Sequence, residues 1–434
     1  MPAYVLAVAV VLLFAAACAP EEAAPPGPEL DRIAEAYVKL VLAVGQHDDG
    51  YVDAYYGPDA WREAAEAEAK PLAVIAQEAQ ALIDRLGPLD VSAADTLVQL
   101  RRQYLTKQLQ ALAARVAMLQ GTTFSFDEEA RALYDAEPPH HDADHFEAIL
   151  ARLADRLPGD GPLGARYERF KQDFVIPTDR LDAVFTAAIE EARRRTKAHV
   201  ALPANERFTV EYVTDKPWSG YNWYQGDAQS LIQVNTDLPI YIDRAVDLAA
   251  HEGYPGHHVY NVLLEQHMVN ERGWVEFSVY PLFSPQSLIA EGSANYGVEV
   301  AFPEDERRRF ERDVLWPLAG LDTSRVGAYY DVESLVAQLS YAGNEAARAY
   351  LDGTIDADSA VAWLTTYALS SEARARQRVR FFDAYRSYVI NYNLGQDLVR
   401  RYVEAQGGTA DRPERRWEVF TELLSSPRLP SGLE

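Results

Sequence analysis

The sequence predicts a mainly α-helical protein with a small β-sheet. Apolar residues recur at three- and four-residue spacing over most of the chain, and period-two alternation is confined to two short stretches near its middle. With 434 residues, 48% of them hydrophobic, the chain can bury a large core. No Pro/Gly/Ser linker divides it, so residues 30–434 are expected to form one domain. Its N-terminal half, 30–205, reads as helical, and 206–434 carries the chemistry.

The chain opens with the apolar run Ala3 to Ala17, shorter than the roughly 20 residues needed to cross a bilayer but suited to a secretory signal. Residues 1–17 are therefore expected to be a signal peptide. Ala15-Ala16-Ala17-Cys18 resembles a bacterial lipobox, in which the cysteine is lipidated and becomes the mature N-terminus. Ala19 to Glu29 holds four prolines and three glutamates in eleven residues, so 18–29 reads as an extended tether. Cys18 is the single cysteine, which excludes disulfide frameworks, cysteine-rich zinc modules and iron–sulfur clusters.

Leu30, Ile33, Tyr37, Leu40, Val41 and Val44 begin the helical pattern. It continues through Val98 to Leu119 before Gly121, Phe146 to Leu157 before Pro158-Gly159, and Leu181 to His199. Arg207 to Val213 and Ser230 to Thr236 alternate and read as strands. After Ile240 the helical period returns, with breaks expected at Gly320, Gly343, Gly353 and Gly395. The formal charge of −25 and a pI near 4.8 exclude nucleic acid as a partner and leave the N-terminal lipid as the only membrane contact.

Chemistry concentrates in Asp247-Leu-Ala-Ala-His251-Glu252-Gly253-Tyr254-Pro255-Gly256-His257-His258, where three of the nine histidines fall within eight residues beside a glutamate. In His-Glu-x-x-His, a helix sets two imidazoles one turn apart on one zinc, and the glutamate activates water. Here Pro255 stands in place of the second histidine, and an unbroken helix would separate His251 from His257 by about 9 Å along its axis. Pro255 lacks an amide proton, and its ring collides with the carbonyl four residues back, that of His251. The helix is therefore expected to bulge, with Gly253 and Gly256 supplying backbone freedom, so that Gly-Tyr-Pro-Gly loops out and returns His257 to the metal. The alternative is an ordinary helix break flanked by exposed histidines. Two imidazoles leave a catalytic zinc short of a protein ligand. Glu291, on the helical segment Ser287 to Tyr296 with small neighbours Gly292 and Ala294, is the candidate third ligand.

These motifs carry a resemblance. His251-Glu-Gly-Tyr-Pro-Gly-His-His258, followed by Glu291-Gly-Ser-Ala, resembles the bacterial family called domain of unknown function 885, many of whose members are described as lipoproteins or zinc hydrolases. That family is distantly similar to the helical gluzincin peptidases, including carboxypeptidase Taq, so the resemblance implies a gluzincin-like helical body with a small sheet beside the metal helix. Matching Gly256-His257 to the Gly-His of that group's metal helix supports His257, rather than His258, as the second ligand. Tyr392-Asn-Leu-Gly395 is similar to the family's late Tyr-x-x-Gly, although the Pro-Gly-Gln that precedes it there is missing. Chemistry and resemblance together make Glu252 the general base and then acid, and His258, Tyr392 and Arg386, in that order, the candidate oxyanion donors. Ser230 to Thr236 would be the substrate-binding edge strand of gluzincins, with Asn235 contacting the substrate backbone.

Other clusters are read as structural. Tyr221, Trp223 and Tyr224 suit a core as well as a cleft wall. His140-His141-Asp142-Ala-Asp144-His145 reads as an acidic helix start, His47-Asp48-Asp49-Gly50 as a solvated turn, and Arg193-Arg194-Arg195 as partners of nearby acids. The expected function is an exported zinc metallopeptidase of the cell envelope, lipid-anchored or secreted, acting on a peptide or small amide with one zinc ion. A zinc hydrolase of a non-peptide amide or ester, and a non-catalytic peptide- or zinc-binding lipoprotein, are the alternatives.

Overall fold

The computed structural model describes residues 27–216 and 218–433. Cys18, the signal segment and most of the tether lie outside the described residues. The tether's last residues, Gly27 to Glu29, are already helical, because Gly27–Val44 forms the first helix and buries Leu30, Ile33, Tyr37, Val41 and Val44 on one face. Against it pack Leu72–Leu86 and Thr96–Leu119, the latter capped by the Asp95 carboxylate on the Leu97 amide. Phe126–Tyr134 starts with a capping box between Ser125 and Glu128, and Ala143–Arg156 with Asp142 as its cap. The long Leu181–Lys197 helix then leads to the strands.

Two small sheets form instead of one. Strand β1 (Val52–Tyr55) pairs antiparallel with β5 (Val279–Pro281), a pairing across more than 220 residues that no local pattern announces. The second sheet holds β2 (Arg207–Val213), β3 (Gly220–Gly226) and β4 (Gln229–Asn235) in the order β2-β4-β3. Strand β4 runs parallel to β2 and antiparallel to β3, and Asp227 and Ala228, both at positive φ, make the hairpin turn to β3. Ser230, Ile232 and Val234 of β4 alternate inward, as its period-two pattern requires. The expectation that Ser230 to Thr236 forms an edge strand is corrected: it is the centre of the sheet, and β3 holds an edge.

Of the four glycines expected to break helices, Gly320 and Gly353 follow helix ends at positive φ. Gly343 and Gly395 instead lie inside Ala342–Leu351 and Ile390–Ala405. Gly395 serves a close approach. A Cβ on it would sit 2.7 Å from the Leu288 carbonyl oxygen, and one on Gly292 would sit 2.3 Å from the Gly395 carbonyl carbon. The helices Pro285–Ala301 and Ile390–Ala405 therefore cross backbone to backbone. One hydrophobic cluster runs from Leu30 to Leu433 and surrounds this crossing.

Candidate metal centre

The helix Asp243–Leu248 widens into a π turn at Ala249–Gly253, breaks at Tyr254 to Gly256 and restarts as His257–Leu264. The Tyr254 amide donates to the Ala249 carbonyl and the Gly256 amide to the Ala250 carbonyl, which draws the excursion tight. Only glycine fits at 256, where a Cβ would lie 1.8 Å from the His251 carbonyl oxygen. The expected bulge is thus present. His257 Nε2 lies 3.1 Å from His251 Nε2, and Glu291 Oε2 lies 3.3 Å and 3.6 Å from the two nitrogens.

These residues fit a zinc ion. A tetrahedral shell with bonds of about 2.0–2.1 Å sets its donors about 3.3 Å apart, close to the three separations found. Glu291 Oε2 is buried and accepts no hydrogen bond, while the Tyr388 hydroxyl donates to its other oxygen at 2.8 Å. The Asn295 amide nitrogen donates to the Tyr392 carbonyl, which turns the amide oxygen toward His251 Nδ1 at 2.9 Å. His251 then carries its proton on Nδ1 and presents the Nε2 lone pair to the centre. Among the described residues, His251, His257 and Glu291 are the group of three with metal-ligand spacing.

The electrostatics favour a cation. Burial works to lower His257, but Glu291, Glu252 and Asp53 outweigh it and push the imidazole up to about 9. Burial works to raise Glu291, yet the two imidazoles hold its carboxyl well below the usual carboxylate range. Asp53 on β1 is pushed up to about 7 by burial, opposed by His257 and reinforced by Glu291 and Glu252. Its carboxylate accepts the Tyr221 hydroxyl of β3.

Glu252 follows His251 without joining the ligand group. Its carbonyl accepts from the Asn222 amide at 2.7 Å, and its carboxylate lies against Gly220, where a Cβ would come within 2.9 Å of Oε1. Both belong to β3, so the edge strand and the glutamate share one wall of a cleft of about 1110 Å³. Arg378, Phe381 and Tyr385 also line this cleft, with Tyr388 and Tyr392 beside the ligand group.

Three of the expected site residues are placed differently. His258 is 0% exposed, with Nδ1 on the Ser230 hydroxyl at 2.8 Å and Nε2 on Glu206 at 3.1 Å. One residue beyond His257 is a rotation of about 100° around a helix, so His258 faces the sheet and cannot meet an oxyanion in the cleft. Arg386 is drawn away by Glu129, whose carboxylate takes its Nε at 2.6 Å. Asn235 borders the cleft, but its amide donates to the Lys216 and Trp218 carbonyls and braces the loop before β3. Tyr392 lines the cleft as expected.

The aromatic cluster splits: Tyr221 and Trp223 line the cleft, whereas Tyr224 is buried against Glu265. The structural readings of the remaining clusters hold. Asp142 caps its helix on the His145 amide, Asp48 pairs with Arg115, and Arg194 and Arg195 pair with Glu191. Asp53, Asn222, Tyr388 and Arg378 were missed. Of these, only Tyr388 had a local signal, standing one helical turn before Tyr392.

No protein-family model and no curated protein matches the chain. Among solved structures it is similar to a protein described as a lipoprotein from Colwellia psychrerythraea, with a TM-score of 0.53 and 15% identity over 83% of this chain and 68% of that one. It is also similar to a lipoprotein of unknown function from Shewanella oneidensis, with a TM-score of 0.45 and 15% identity over 95% and 79% of the two chains. An M32 carboxypeptidase from Deinococcus radiodurans R1 gives a TM-score of 0.47 at 14% identity over 91% and 90%. The first of these likenesses supports the mainly helical fold.

Proposed function

We propose that the protein is an exported zinc-dependent peptidase, anchored to the envelope by a lipid on Cys18. The observation that carries this reading is the convergence of His251, His257 and Glu291 within 4.8 Å, beside Glu252, on the wall of a large cleft. Zinc held by His251, His257 and Glu291 would act as a Lewis acid and make water more acidic. Glu252, free of the ligand group, takes the proton of the attacking water and passes it to the departing amine. Tyr392, whose hydroxyl has no hydrogen-bond partner among the described residues, is the donor for the developing oxyanion. Strand β3 favours a peptide over a small amide or ester, because among the described residues the edge opposite β4 carries no partner strand, and Gly220 to Trp223 border the cleft. An extended substrate can add to that edge through main-chain hydrogen bonds. No helix among the described residues is long and apolar enough to cross a membrane, which leaves anchoring to the N-terminal segment.

The test compares wild type with Glu252→Gln for zinc content, melting temperature and cleavage of a mixed peptide library. Zinc and melting temperature are expected to be unchanged while turnover falls about 10²–10⁴-fold. Equal cleavage by both proteins removes Glu252 as the base. A zinc-loaded wild type that cleaves no peptide, but does cleave an ester or non-peptide amide, changes the substrate class. One that cleaves none of them is a binding protein. Incorporation of labelled fatty acid by wild type but not Cys18→Ala tests the anchor.

A further inference from the structure

Arg378 extends from the helix Glu372–Tyr385 into the cleft wall. Its guanidinium is framed by aromatic faces, 5.0 Å from the Phe381 ring centre, 5.8 Å from Phe382 and 6.0 Å from Tyr392. It makes no hydrogen bond or ion pair with any described residue. Other arginines with neither a side-chain hydrogen bond nor an ion pair among the described residues, such as Arg156, Arg309 and Arg380, are exposed, whereas Arg378 is half-buried. Two other arginines of the cleft differ: Arg244 pairs with Asp247 at 3.5 Å, and Arg307 pairs with Asp247 at 2.8 Å and Glu311 at 2.9 Å. Burial draws Arg378 down from the ordinary arginine range, and no nearby carboxylate opposes it. Arginine nevertheless stays protonated in proteins, so its N–H donors are left without a hydrogen-bond acceptor among the described residues.

Arg378 is also tied to the ligand group. Tyr392 lies under its guanidinium on one side, and on the other its carbonyl takes the Asn295 amide that orients His251. Tyr392 and Asn295 are the two links between Arg378 and His251. Arg374, one turn earlier on the same helix, also lines the cleft without an ion-pair partner among the described residues, its guanidinium 5.9 Å from the Tyr241 ring centre.

We propose that Arg378, assisted by Arg374, binds a carboxylate of the substrate while the bond to be cleaved lies at His251, His257 and Glu291. The planar fork of arginine matches a carboxylate through two parallel hydrogen bonds, and the aromatic frame removes competing water. Two groups on a peptide carry this chemistry: the free C-terminus and an Asp or Glu side chain next to the scissile bond. The reaction at the centre rests on the reading above, but binding of the carboxylate does not require turnover.

Binding is therefore measured by calorimetry in zinc-loaded Glu252→Gln protein with three probes: acetyl-Ala-Ala-Phe, its C-terminal amide, and acetyl-Ala-Glu-Phe amide. At least one carboxylate-bearing probe is expected to bind about tenfold or more tightly than the neutral amide, and which one does so identifies the source. Adding Arg378→Gln should abolish that advantage and leave affinity for the neutral amide unchanged, and Arg378→Lys should restore part of it. Equal binding of all three probes, binding of none, or an advantage that survives in a folded Arg378→Gln protein overturns the proposal. Loss of cleavage in wild type with the carboxylate advantage intact would instead count against the peptidase reading alone.

Discussion

Asn295 determines what His251 can do. Its amide is held by the Tyr392 carbonyl, so its oxygen fixes the imidazole proton on Nδ1 and frees Nε2. Asn295→Ala should weaken zinc binding about 10–100-fold in a chelator competition, with little change in the melting temperature of the zinc-free protein. His251, Glu252, His257 and Glu291 were legible because each belongs to a short motif whose spacing carries the chemistry. Asp53 and Arg378 are ordinary residue types brought in from β1 and the last fifth of the chain, and no motif beside them marks a site, whereas Tyr388 had only its one-turn spacing from Tyr392. His258 was misjudged for a related reason. Its direction depends on where the helix restarts, and spacing alone leaves that open.

Between elements, Glu206 joins three segments. Just before β2, it accepts from His258 and Tyr254 of the metal segment and from Arg193 of the Leu181–Lys197 helix. Burial works to raise it, but these donors prevail and bring its carboxyl down to about 2. An unfolded glutamate titrates near 4.3, so this stabilisation is complete above that pH and is lost as pH falls toward 2. Wild type should lose up to about 3 kcal/mol across this window that Glu206→Gln does not, measured by denaturant unfolding at pH 5 and pH 2.5. The crossing of Gly292 and Gly395 is similarly exacting. Gly395→Ala should force the two helices apart, lowering both melting temperature and zinc affinity, because Glu291 and Asn295 lie on one helix and Tyr392 on the other. Gly327→Ala, where a Cβ meets nothing within 4 Å, should instead leave zinc unchanged and stabilise by about 0.5 kcal/mol. Helices and the β2 and β4 strands were legible from periodicity. The β1–β5 pairing and the central place of β4 depend on long-range partners, and Gly395 looked like a helix break because a crossing glycine and a terminating one are the same letter.

Across the whole molecule, the proposed zinc ties together segments that otherwise meet only through the core. With free zinc about a thousandfold above its Kd, binding is worth about 4 kcal/mol, so a strong chelator should lower the melting temperature by several degrees. His251→Ala protein should show no such shift. The same arrangement has a consequence for biosynthesis. All three ligands leave the ribosome before Tyr388, which holds Glu291, and before Tyr392, which sets Asn295 against His251. A nascent chain that already carries the full motif still lacks the groups that aim it. Metal capture would then be a property of the finished chain, and the compartment in which the last helices dock would be the one whose zinc supply the protein draws on.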